Sequence, residues 1–227
     1  MLALIKCHIS YIFNKFTTYL IVVVLLICII NNIVILAFME NRLSIIDISN
    51  SYNISSFMIS KMLLVLLILF ISINSYLKTQ NNYSHIITNV SRVKFLISKF
   101  ITLMFVCTGV VLINFMSLVV IGKMFYINLE FNNIDLIRHL LFLILLIYYL
   151  LIGTIISLLF DNIYTIIVIY GVFLLSGEEK KSFSWFNLFI PNFDLINGVI
   201  INDVIYLIMM ICISGILCFI IYNKIDL

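Results

Sequence analysis

Residues 18–39 read TYLIVVVLLICIINNIVILAFM, with no charge anywhere in the stretch. A helix needs about 20 mostly apolar residues to cross the hydrocarbon of a bilayer. This run supplies them, interrupted only by the amide pair Asn31 and Asn32 near its middle. The pattern recurs at about 56–77, 100–121, 139–160, 163–176 and 204–222, the fifth run being short. Six such helices and their turns consume nearly all of the 227 residues, leaving no segment that could fold as a soluble domain. The sequence therefore predicts an all-α, polytopic membrane protein, a single transmembrane domain over residues 1–227. The first run is too long for the apolar core of a secretory signal, and no small-residue cleavage site comes after it, so it reads as a retained helix.

Composition leads to the same place. Hydrophobic residues make up 64% of the chain and charged residues 10%, against about 25% charged in an ordinary soluble domain. A net charge of +3 without any basic run gives a nucleic acid nothing to bind. The cysteines, Cys7, Cys28, Cys107, Cys212 and Cys218, include no CxxC pair, and four lie in apolar runs. There they serve as small hydrophobes rather than as disulfides or metal ligands. The seven glycines are scattered and form no phosphate-binding loop, so any nucleotide chemistry must reside on another chain. Nothing in the sequence calls for a cofactor. Lysine far outnumbers arginine, and Ala3 and Ala37 are the only alanines, a bias typical of AT-rich bacterial genomes.

Residues 1–17 differ from the rest of the chain. At the roughly 100° per residue of an α-helix, Leu2, Ile5, Ile9, Ile12, Phe13 and Phe16 share one face, and Lys6, Ser10, Asn14 and Lys15 lie off it. That pattern suits a helix lying in the membrane surface rather than crossing it. Orientation is set by the distribution of bases. With a cytoplasmic N-terminus, the inner segments hold Lys6, Lys15, Lys78, Arg92, Lys94, Lys99 and Lys224 against two acids, Asp161 and Asp226. The outer segments hold six bases against eight acids, with Asp135 and Arg138 counted there as loop charges. Both termini are then expected on the cytoplasmic side of a bacterial plasma membrane.

The loops are unequal. Segment 78–99 is polar and basic. The turn at Asp161-Asn162 is short and makes the fourth and fifth spans a tight hairpin. Segment 177–203 opens with charge and then becomes apolar and aromatic, with Trp185 and a break at Pro191-Asn192. Irregular backbone at membrane depth persists only when protein or water covers it, so this segment reads as a re-entrant pair of short helices.

An interfacial N-terminal helix, six spans, a basic loop after the second span and a broken outer segment before the sixth together resemble the permease subunit of type-2 ATP-binding-cassette exporters. SRVKFLISK at 91–99 looks like that family's entry into the third span, and IIYNKIDL at the end resembles its basic-then-acidic tail. Where many members carry Glu and Gly after the second span, this chain reads Lys78-Thr79-Gln80-Asn81-Asn82. The resemblance implies two paired permeases, identical or different, above two cytoplasmic ATPases that push on loop 78–99. It makes Tyr83, His85, Arg92, Lys94 and Lys99 candidate coupling residues and places the substrate between the permeases. Compact permeases from AT-rich bacteria resemble those that move antimicrobial peptides for export or self-protection.

Other residues invite a functional reading beside a plainer one. Asn31, Asn32, Asn114 and Ser117 are costly in hydrocarbon unless paired; they line a translocation path or join helices by hydrogen bonds. Lys61, near the outer end of the second span, reads as a snorkelling anchor. The spacing of Gly153 with Ser157, and of Ser214 with Cys218, permits close helix packing. Glu178-Glu179 is reminiscent of intramembrane proteases, but Phe183 stands where an arginine is needed and no histidine comes after His139, so acid–base catalysis lacks its partner. Two classes of function remain. One is a transport subunit driven by a separate ATPase; the other is a non-transporting membrane protein for immunity or assembly that binds a partner.

Overall fold

A computed structural model describes residues 2–39, 45–77, 91–125, 131, 133–159 and 201–224. Those residues form six helices and no strand: α1 (Leu2–Ile12), α2 (Lys15–Met39), α3 (Ile45–Leu77), α4 (Arg92–Phe125), α5 (Asn133–Leu159) and α6 (Ile201–Lys224). The last five are long and apolar enough to cross a membrane. The expected short span at 163–176, the hairpin turn at Asp161-Asn162 and the segment 177–203 lie outside the described residues.

The helix at the N-terminus ends earlier than its amphipathic pattern predicts. Asn14 breaks it and caps α2: the Thr17 amide donates to Asn14 Oδ1 at 2.9 Å, and the Thr18 amide donates to the Asn14 carbonyl at 2.9 Å. Asparagine is favoured at this position because its side chain satisfies an amide that the first turn leaves unpaired. The Thr17 hydroxyl also donates back to the Ile12 carbonyl, tying the end of α1 to the start of α2. Residues 15–17 therefore belong to the first span, not to the interfacial helix.

α3 is the central helix, flanked by α2 and α5; α4 lies against α2, α1 and α5, and α6 packs on α5. The core between them is built from one stripe of each helix, including Cys28, Leu64, Leu67, Ile71, Leu103, Cys107, Leu146 and Leu150. The outward surface is no less apolar. α2 exposes Val22, Val23, Leu26, Ile27, Ile30, Ile33 and Val34, and α6 exposes Ile205, Ile208, Met209, Ile213, Ile216 and Leu217. Continuous apolar faces of this length are tenable where the solvent is lipid and unusual where it is water.

The small residues act inside the chain. Gly153 faces α3 so closely that a Cβ there would lie 3.1 Å from both Cβ and Oγ of Ser72. One turn away, the Ser72 hydroxyl donates to the Leu150 carbonyl at 3.1 Å. Ser214 and Cys218 are both buried on the described helices, together with Leu207 and Tyr222. Gly153→Leu is expected to force α3 and α5 apart and to cost about 1–3 kcal/mol, the usual range for overpacking. Gly109→Leu, where nothing lies within 4 Å of the added Cβ, should be neutral or slightly stabilising. Thermal denaturation of the two variants in mild detergent checks this, and equal melting temperatures would contradict it.

Candidate functional site

Two polar regions stand out, one at each end of the described bundle. The first joins α1 to the start of α4. The stripe of α1 that faces the bundle is Leu4, Cys7, His8 and Ile12, with Leu4 and Cys7 half-buried and His8 and Ile12 buried. Of the apolar face expected from the sequence, Leu2, Ile9, Phe13 and Phe16 are exposed, Ile5 is half-buried and Ile12 is buried, and the Phe16 ring still reaches Phe70 of α3 at 5.9 Å. The bundle is met by the narrower stripe about His8.

His8 Nε2 lies 3.1 Å from Ser98 Oγ, and its ring stands edge-on to Phe95 at 4.9 Å. The Ser98 hydroxyl spends its single proton on the Phe95 carbonyl at 2.8 Å, so toward His8 it can only accept, and Nε2 is the donor. Burial first and the Lys99 ammonium second hold His8 well below the usual histidine range, at about 4. Its ring is therefore neutral at physiological pH.

Of the coupling residues proposed from sequence, Tyr83 and His85 lie outside the described residues, as does the Arg92 side chain at the first turn of α4. Lys94 is exposed. Lys99 is not on that surface: it is 1% exposed, with Nζ 5.9 Å from the centre of the Phe95 ring. The contiguous apolar packing of α4 begins at Phe95, and Lys99 falls on its buried side, beside His8. Trp185, Pro191 and Asn192 lie outside the described residues.

The second region lies at the far end, where α3, about two turns in from its start, and the first turns of α5 meet the last turns of α2 and α4. Asn53 Nδ2 donates to Asp135 Oδ2 at 3.0 Å, and Arg138 Nη1 donates to Asp135 Oδ1 at 2.7 Å. Both ionic side chains are largely covered, Arg138 at 13% and Asp135 at 8% exposure. They are thus part of the helix packing and not the solvated loop charges that the orientation count assumed. Tyr52 donates to the Leu118 carbonyl at 3.1 Å, linking α3 to α4. His139 sits between Phe57 and Phe115, with centroids 5.1 Å and 4.6 Å away.

The four intramembrane polar residues chosen from sequence differ in their surroundings. Asn32 is fully buried and Asn114 is 2% exposed, whereas Ser117 is half-buried and satisfied within its own helix, donating to the Asn114 carbonyl at 2.7 Å. Asn31 is half-buried, with its amide nitrogen lacking a partner among the described residues. Lys61 is half-buried within the 51–73 span, about 15 Å from its start at 1.5 Å per residue. It lies that far along because α3 begins well before the predicted position 56.

No protein-family model and no curated relative matches the chain.

Proposed function

We propose that the chain is the membrane-spanning subunit of an ATP-driven exporter, working with a second permease, identical or different, and with separate cytoplasmic ATPase subunits. The observation that carries the reading is the clamp between α1 and α4. An amphipathic helix that leaves Leu2, Ile9 and Phe13 exposed is held by His8 against Ser98, one turn beyond exposed Lys94. A force applied to the segment leading into α4 would then be shared with α1, as a motor pushing from that side requires. In this reading that end is cytoplasmic, both termini lie there, six spans cross the bacterial plasma membrane, and 177–203 is re-entrant on the outer face. The substrate class that accords with the resemblance is an antimicrobial peptide.

Affinity purification from gently solubilised native membranes tests the reading. A stoichiometric soluble ATPase with a phosphate-binding loop is the expected partner. Recovery of the chain alone, or with a partner that is not an ATPase, overturns it in favour of a non-transporting immunity or assembly protein. Reversing the charge of Arg92 and Lys94 is expected to reduce ATPase recovery severalfold while leaving membrane insertion unchanged. Full recovery would remove the start of α4 as a docking site.

A further inference from the structure

The far end of the bundle contains more buried polar atoms than its own hydrogen bonds satisfy, and the helix register gathers them into one layer. Leu36, Tyr52 and Leu118 share a single packed cluster, which sets α2, α3 and α4 level with one another. One turn toward the middle from each are Asn32, Ser56 and Asn114. The Asn53–Asp135 bond sets α5 level with α3, and one turn inward from it His139 meets Phe57. A further turn inward on α3, Ser60 lies beside Cys28 of α2, which fixes the same register from below.

Within this layer both amide atoms of Asn32, the carbonyl oxygens of Asn53 and Asn114, and His139 Nε2 are buried without a hydrogen-bond partner among the described residues, while the Ser56 hydroxyl is engaged with Tyr52 and that of Ser60 with Cys28. Native interiors leave only a few such atoms per hundred residues, so this many on facing turns of four helices is a site rather than a scatter. In hydrocarbon nothing can donate to or accept from such a group, so leaving it dry is costly.

The chemistry of the atoms points to their ligand. Asn53 gives its Nδ2 to a carboxylate, so the atom left over is an acceptor. His139 Nδ1 lies 2.8 Å from the Asp135 carbonyl, which can only accept, so Nδ1 carries the proton and the neutral ring offers a lone pair at Nε2. Asn114 adds a third acceptor and Asn32 a fourth, against which the layer sets only the two N–H donors of the Asn32 amide, the hydroxyls of Ser56 and Ser60 being already engaged. The adjoining Asp135–Arg138 pair cancels its own charge. The layer is thus rich in acceptors and short of donors.

We infer that this layer is hydrated from the far end of the bundle and admits small monovalent cations, water and cation together supplying what its acceptors lack. Buried waters make about 3 hydrogen bonds each, so a short file of them spans the two turns between Asn53 and Ser60, about 10 Å at 1.5 Å per residue. The inference does not rest on the proposed transport function: the layer would be wet in a lone chain as in an assembly.

Silver ion tests it, being a small monovalent cation that displaces the proton of a thiol and forms a stable silver–sulfur bond. S56C is nearly isosteric and places a thiol in the layer; L64C places one two turns deeper on α3, where Leu64 is fully buried among apolar side chains. Silver is added to one side of sealed vesicles holding the whole chain. The cysteines still free are then alkylated after denaturation and counted, position by position, by mass spectrometry. S56C is expected to react at least about tenfold faster than L64C, because an apolar surrounding suppresses the thiolate, and only with silver added on the side away from α1. Equal, slow reaction of S56C and L64C overturns the inference by showing a dry layer, and faster reaction from the α1 side overturns its direction of entry.

Discussion

Asp135→Leu is expected to destabilise the purified protein by about 3–5 kcal/mol, the cost of removing one member of a buried ion pair. Asp135 accepts from two helices at once: Asn53 of α3 at 3.0 Å and Arg138 of its own helix at 2.7 Å. Its loss strands the guanidinium beneath a largely closed surface and frees both polar atoms of the Asn53 amide. It also removes a negative charge from the first turn of α5, where the helix dipole favours one. The pair itself is a weaker stabiliser than its disruption is a destabiliser, because two desolvated charges repay little more than their own burial. The double variant Asp135→Leu, Arg138→Leu should therefore recover part of the loss. Thermal unfolding of the two single variants and the double variant in one detergent measures this. A single variant as stable as the parent would show that the pair is solvated at the interface and contributes as little as a surface ion pair.

The same residues mark the limit of what hydropathy reveals. Apolar runs locate four of the five long helices to within a few residues at the end away from the Asn53–Asp135 region, because lipid-facing and core-facing positions alike must be apolar and hydropathy sums over both; α4 is the exception, beginning at Arg92 where the run predicts 100, so that residues 92–99 are helix and not loop. Hydropathy fails at the first turns of α3 and α5. Residues 45–55 read IIDISNSYNIS, which looks like a loop, yet they continue the helix because protein rather than lipid covers Tyr52 and Asn53, both buried. Asp135 and Arg138 look like loop charges for the same reason. Asn32 and Asn114 can be chosen from sequence because an amide among isoleucines stands out. The atoms level with them, on Asn53, Ser56 and His139, cannot, since periodicity within one helix says nothing of which helix lies beside it or at what height. His8 escapes notice because its stripe, Leu4–His8–Ile12, is narrower than the apolar face beside it. The only signal is a histidine at i+4 from one apolar residue and i−4 from another.

That histidine is expected to make the seating of α1 depend on pH. In the docked state His8 titrates at about 4, held down first by burial and second by Lys99; released to the aqueous interface it returns to about 6.5. Between those values the undocked state binds more protons than the docked one, so docking weakens as the pH falls. It is at full strength above about 6.5, loses up to about 1.4 kcal/mol per unit below that, and levels off near 4. The total is about 3 kcal/mol at most, comparable with what one hydrogen bond and a ring contact provide. The hydrogen bond is not what fails: Nε2 donates to Ser98 in the neutral ring and would still donate in the charged one. The cost is that of a cation buried between Phe95 and Lys99. A spin label on α1 paired with one on α4 should report separation of the two helices as the pH is lowered from 7 to 4. H8F, which has no charge to acquire, should keep them together over the whole range. Lys99→Gln should move the transition toward lower pH values, since the ring can then accept its proton at less cost. Helices that separate in H8F as they do in the parent would place the pH sensor elsewhere and leave His8 as a packing residue only.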